Sequence, residues 1–169
     1  MENKKQRLSL VLTEVSIALF FILLPIVGSK LISYGIKPDY AWFASLKRPW
    51  FTPPRMVFGP VWTFLYLTMG ISSYLYYLNT EFRPSLPGWI IYTAQLVLNW
   101  MFYPIYFGLK LLVLASVTTT TVGVLVFFNC ILFFRLQRLS GIMLIPYLLW
   151  SILAATIAVN IVILNPDKV

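Results

Sequence analysis

Five apolar runs, at about residues 8–28, 57–79, 88–108, 111–134 and 141–164, decide what this chain can become. A helix needs about 20 residues to cross the hydrocarbon of a bilayer, and each run is long enough. Within hydrocarbon the backbone N–H and C=O groups must be satisfied by the protein itself, and runs of this kind do so as helices. The expectation is an all-α polytopic membrane protein, a five-transmembrane-helix bundle in a single domain over residues 1–169. Charge content agrees: 11% of the residues are charged, against about 25% in soluble domains.

The connections between the runs are short. "YGIKPDY" and a proline-rich stretch, together about 29–56, separate the first two, and "NTEFRPSLPG" separates the next two. "GLKL" forms a tight turn around Lys110, and "RLQRLSG" precedes the last run. Short links predict antiparallel neighbours. The opening "MENKKQRLSLVLTEVSIALFFILLPIVG" has a basic flank like a signal peptide, but its apolar core is too long and no small-residue cleavage pattern follows. It reads as a retained first helix, so an odd number of spans puts the termini on opposite sides. Orientation is not set by charge. Lys4, Lys5, Arg7, Arg83, Arg135 and Arg138 fall on one side, against Lys30, Lys37, Lys47, Arg48, Arg55, Lys110 and Lys168 on the other.

A net charge of +8 suggests an anionic partner. Its residues sit in short loops and flanks, the pattern of head-group anchoring to membrane lipid rather than of a nucleic-acid face. The chain has no His, which removes the common catalytic base and the commonest metal and haem ligand. Glu2, Glu14, Asp39, Glu81 and Asp167 form no close pair in sequence, and the single Cys130 allows no intrachain disulfide. No metal site, no obligatory cofactor and no conventional acid–base enzyme is expected. Glu14 near the start of the first run reads as interfacial, and Ala115, Thr119 and Gly123 as a close-packing stripe.

The third run carries a polar stripe. Tyr92, Gln95, Asn99, Tyr103 and Tyr106 share one helical face, which in hydrocarbon turns toward the bundle interior. Such a stripe is either a wall of a ligand cavity or polar glue between helices. Pro104 predicts a kink in the same run. Comparable faces hold Trp62, Tyr66, Met69, Ser73 and Tyr77 in the second run. In the fifth they hold Pro146, Trp150, Leu153 and Ile157, beside small Ala154, Ala155 and Ala158. Large rings next to small residues suit a flat apolar ligand, or ordinary packing.

The most peculiar stretch is "WFASLKRPWFTPPRMVFGPVW", with three Trp, three Phe and four Pro between Trp42 and Trp62. Continued through "TFLYLTMGISSYL", and followed in order by "YTAQLVLNW" and "LIPYLLW", it resembles the translocator protein family. That family is also called the tryptophan-rich sensory proteins or the peripheral benzodiazepine receptor. The likeness runs from about Leu10 to Asn165. It implies a five-helix bundle, commonly a homodimer, with a ligand cavity under the first loop. The implied ligands are porphyrins, cholesterol and benzodiazepine-type drugs. The implied membrane is the mitochondrial outer membrane in a eukaryote, or the cell or outer membrane in a bacterium.

Carried over by motif, the ligand-binding residues are Trp62, Tyr66, Gln95, Asn99, Trp100, Tyr103, Trp150 and Ala154. The lid is Trp42, Arg48, Pro49, Trp50, Pro53 and Pro54. Some family members degrade bound porphyrin in light, which would make Trp62 and Trp150 catalytic; ligand transport is a further implied role. Two departures stand out. The motif's usual tryptophan is Phe51, with Trp50 one position earlier, and the family's dimerisation pattern falls on Ile90 and Ala94. The terminal cholesterol motif is not reproduced, although Leu31, Tyr34 and Lys37 form a formal match in the first loop.

Overall fold

Prolines and two residues with positive φ set where the helices of this chain begin, bend and stop. A computed structural model describes residues 2–80 and 86–168, with side chains from Lys4 onward. Glu81 and Arg83 of the "NTEFRPSLPG" connection lie outside the described residues. Helix α1 (Glu2–Ser33) continues past the apolar run through "GSKLIS", because nothing there breaks a helix before Gly35 at φ 83°. The short helix α2 (Tyr40–Ser45) follows, then α3 (Arg55–Tyr77), α4 (Leu86–Tyr103), α5 (Leu112–Leu136), α6 (Arg138–Met143) and α7 (Ile145–Leu164).

Two breaks show proline chemistry directly. Pro104 has no N–H to continue the α-helical ladder, and from there the chain widens into a π-helical segment, Pro104–Gly108. The Leu109 N–H closes it by donating to the Pro104 carbonyl at 2.9 Å. Lys110, at φ 57°, then reverses the chain into α5. Pro146 likewise interrupts the last run, which splits at Leu144 into α6 and α7 instead of forming one helix from residue 141.

Four segments are long and apolar enough to cross a membrane: Lys4–Ser33, Arg55–Tyr77, Leu112–Leu136 and Arg138–Leu164. The fifth helix of the bundle is α4, whose mean hydropathy is diluted by Tyr92, Gln95, Asn99 and its tryptophans. The neighbours run α1, α3, α7, α5, α4 and back to α1, with α6 bridging α5 to α3. This is an all-α polytopic membrane protein.

Small residues hold the ring together. Gly70 of α3 sits against the backbone of Ile22 in α1, where an added Cβ would lie 2.6 Å from its Cα. Gly28 of α1 makes room for the Trp100 ring of α4. Ser72 and Ser140 exchange hydrogen bonds: each hydroxyl donates to the other's carbonyl, at 2.7 and 2.6 Å. Gly70→Leu is expected to lower stability by about 1–3 kcal/mol through overpacking, read as a lower thermal midpoint in detergent. An unchanged midpoint would show that α1 and α3 do not depend on this contact.

Candidate functional site

Polar atoms inside hydrocarbon find partners or carry a large desolvation cost, and the polar stripe of α4 meets that demand in the middle of the ring. The Tyr66 hydroxyl on α3 donates to Asn99 Oδ1 at 2.7 Å. Asn99 Nδ2 donates to the Tyr147 hydroxyl on α7 at 2.9 Å, and Tyr147 donates to Gln95 Oε1 at 2.9 Å. The four side chains make one directional relay across three helices. Gln95 is fully buried, and among the described residues its Nε2 ends the relay without a protein acceptor; the buried Trp150 Nε1 has none among them either.

Aromatic rings surround the relay. Trp62 packs on Tyr66 with centroids 5.5 Å apart and meets the Tyr147 ring edge-on at 6.2 Å. Trp150 meets Phe58 edge-on at 5.6 Å, and partly buried Ala154 lies one turn further along α7. Tyr103 packs on Phe107 at 4.8 Å with the rings tilted by 42°, and Phe107 in turn meets Phe43 of the first loop. Trp62, Tyr66, Gln95, Asn99 and Trp150 therefore belong to one constellation, with Tyr103 on its loop side. Trp100 packs against the same core cluster as Trp62, Tyr66 and Trp150, and its indole N–H donates to the Pro25 carbonyl of α1 at 3.1 Å.

Tyr147 and Phe58 were not among the residues singled out from sequence. The signal for Tyr147 was present in "PYLLW", where it stands one turn before Trp150 on the same face.

The first loop packs on a second cluster. Leu46, only 3% exposed, sits with Tyr106, Leu112, Ala115, Ile157 and Ile161, and partly buried Trp42, Phe43 and Phe51 pack against them. Helix α2 lies within this cover, capped by Asp39 accepting from the Trp42 N–H at 2.9 Å. Phe51 takes the inward position while Trp50 points away from the bundle, 94% exposed. Pro49 anchors a turn there, accepting from both the N–H and the hydroxyl of Thr52. Pro53 is partly buried, and Pro54 caps the start of α3.

Cations fasten the aromatic lid from outside. Arg48 lies over Phe43 at 5.0 Å, Arg55 over Tyr40 at 3.9 Å and Lys110 over Trp42 at 5.5 Å. Lys110 also pairs with Asp39 at 2.7 Å. The Lys110 hydrogen bond, and then the Trp42 N–H, hold the Asp39 carboxyl below the ordinary carboxylate value. Among the described residues no cluster of acidic or cysteine side chains could hold a metal ion.

Interior relay, surrounding aromatic side chains and aromatic first loop together define a helical membrane protein with a buried polar network joining α3, α4 and α7. Residues 17–164 match the TspO/MBR family. The chain is 33% identical over 129 residues to Protein CrtK of Rhodobacter capsulatus, covering 76% of this chain and 81% of that one. It is 30% identical over 152 residues to the tryptophan-rich sensory protein of Cereibacter sphaeroides, covering 89% and 94%. It is 33% identical over 134 residues to the Homo sapiens translocator protein, covering 78% and 77%. The chain belongs to the TspO/MBR family.

Two outcomes follow from this geometry. Tyr147→Phe leaves both Asn99 Nδ2 and Gln95 Oε1 without partners, whereas a single interhelical bond in a membrane averages only about 0.6 kcal/mol. The expected loss is about 1–3 kcal/mol because two buried polar groups are orphaned, measured by thermal unfolding. For Asp39, the folded carboxyl titrates below the unfolded one, so its contribution is present above the unfolded value and disappears as pH falls through the lowered one. Exchange of the α2 amides, corrected for intrinsic rate, should rise as pH falls below about 4, and Asp39→Asn should abolish that rise. A pH-independent lid would contradict the pairing.

Proposed function

We propose that this chain is a membrane receptor or sensor that binds porphyrins of the protoporphyrin IX type between α3, α4 and α7. Other flat apolar ligands, such as benzodiazepine-type drugs or sterols, fit the same description. The observation that carries this reading is the pairing of aromatic surfaces with two buried donors, Gln95 Nε2 and Trp150 Nε1, that have no protein acceptor among the described residues. Flat rings supply stacking and apolar burial, while a few convergent polar groups fix orientation. A bound porphyrin would take the space that Trp62 and Trp150 now share with Tyr66 and Phe58, so those rings move on binding. Arg48 and Arg55 lie over the Phe43 and Tyr40 rings, and their N–H groups would meet the propionates. Membrane lipid is the surrounding partner.

A homodimer is part of the proposal, with Ile90 on the outer face of α4, where it is exposed beside Ala94. The host membrane would be the mitochondrial outer membrane in a eukaryote, or the cell or outer membrane in a bacterium.

The second reading is light-dependent porphyrin degradation. It is favoured by the position of the Trp62 ring against Tyr66 and Tyr147, electron-rich groups that serve photochemistry without an acid–base pair. Titration of the purified protein with protoporphyrin IX, in the dark and under light, separates the two. Saturable quenching of tryptophan emission without loss of porphyrin absorbance supports the receptor. Bleaching in light that disappears in Trp62→Phe or Trp150→Phe supports degradation. Absence of both binding and bleaching refutes the porphyrin assignment.

A further inference from the structure

The first loop is a strap whose two ends and whose middle are fastened to different helices of the ring. It leaves α1 at Gly35 and enters α3 after Pro54, and α1 and α3 are neighbours. Its middle is held by α5 and α7, neighbours of each other, of which α7 also borders α3. The tightest fastening is at Asn165, directly after α7 and 2% exposed. The Lys47 N–H donates to Asn165 Oδ1 at 2.9 Å, and Asn165 Nδ2 donates back to the Lys47 carbonyl at 2.9 Å. The second Nδ2 hydrogen goes to the Ile161 carbonyl at 2.7 Å.

One side-chain amide thus pairs with both polar groups of one residue of the strap, while a third bond ties it to its own helix. Only an amide can do this, since a carboxylate has no hydrogen to give and a hydroxyl has only one. The adjacent Leu46 is buried with Ile157 and Ile161, so the clasp is shielded on that side from competing water. A weaker second tie lies outside it, where Lys168 Nζ donates to the Ser45 hydroxyl at 2.7 Å.

We propose that Asn165 is a positioning residue: its amide clasps the strap at Lys47 across the mouth of the bundle, and release of that clasp sets the rate at which ligand enters and leaves. The gating half of this inference rests on the receptor reading; the clasp itself does not. The asymmetry of attachment gives the direction of opening. The strap swings on its α1 and α3 ends and lifts from α5 and α7.

The test uses the full chain in lipid nanodiscs, as wild type, Asn165→Asp and Asn165→Ala. Asp keeps the size of the side chain and removes both donated bonds. Hydrogen exchange without ligand should rise about ten-fold through 40–52 in both variants, and at the Lys47 amide itself in Asn165→Ala, because Asp keeps the oxygen that accepts from that N–H. Exchange across Gln95–Asn99 should stay unchanged, showing that the bundle is folded. With protoporphyrin IX, association and dissociation rates should both rise about ten-fold while Kd changes little, a signature that general destabilisation does not give. Unchanged exchange at Lys47 in both variants overturns the clasp. Raised exchange with unaltered porphyrin rates overturns the gating role. Should wild type bind no porphyrin, the receptor reading and the gating role fall together, and the exchange data alone decide the clasp.

Discussion

The hydrogen-bond relay from Tyr66 through Asn99 and Tyr147 to Gln95 is the constraint around which the bundle is arranged. In hydrocarbon there is no driving force for apolar helices to prefer one another over lipid, so packing and interhelical hydrogen bonds select the partners. The relay joins α3, α4 and α7 at a level where Tyr66 and Asn99 span the gap between α3 and α4. Those two helices approach through side chains rather than through close backbones, unlike α1 and α3 at Gly70. The separation leaves room between them for the rings of Trp62, Tyr66 and Tyr147.

A different physical rule governs the outer half. At the membrane surface water is present, and the lid is built from rings with cations laid over them, each worth about 0.5–1 kcal/mol at exposed sites. Arg48, Arg55 and Lys110 come from the loop, from the start of α3 and from the turn before α5. Several weak contacts from separate elements hold the cover in place. The buried Asn165 pairing is the exception among them, because its bonds are shielded.

The stripe of α4 was legible in the sequence because a 3.6-residue period projects Tyr92, Gln95, Asn99 and Tyr106 to one side, and all four are buried. The same rule explains why Trp100 also touches α1. One residue beyond Asn99 the helix has turned by about 100°, and the ring faces Pro25 and Gly28 of α1. In the lid a one-residue shift separates Phe51, packed inward, from Trp50, which is exposed, and a loop has no period from which to predict that. Asn165 lies beyond the last apolar run and before a proline, where it resembles an ordinary helix stop. Its pairing with Lys47 spans 118 residues of sequence, a separation that local pattern cannot bridge.

One helix face links the two halves. Tyr147, Trp150, Ala154, Ile157 and Ile161 follow one another along α7 at helical spacing, and Asn165 continues the same line just past its end. From Tyr147 to Asn165 this line covers about 27 Å at the α-helical rise. Interior relay, aromatic wall, lid cluster and clasp are therefore all referenced to a single rigid element. A tilt of α7 that widened the space around Trp150 would also shift Ile161 and Asn165 beneath Leu46 and Lys47. On the proposed receptor reading, opening the lid and making room inside would then be coupled by the geometry of one helix.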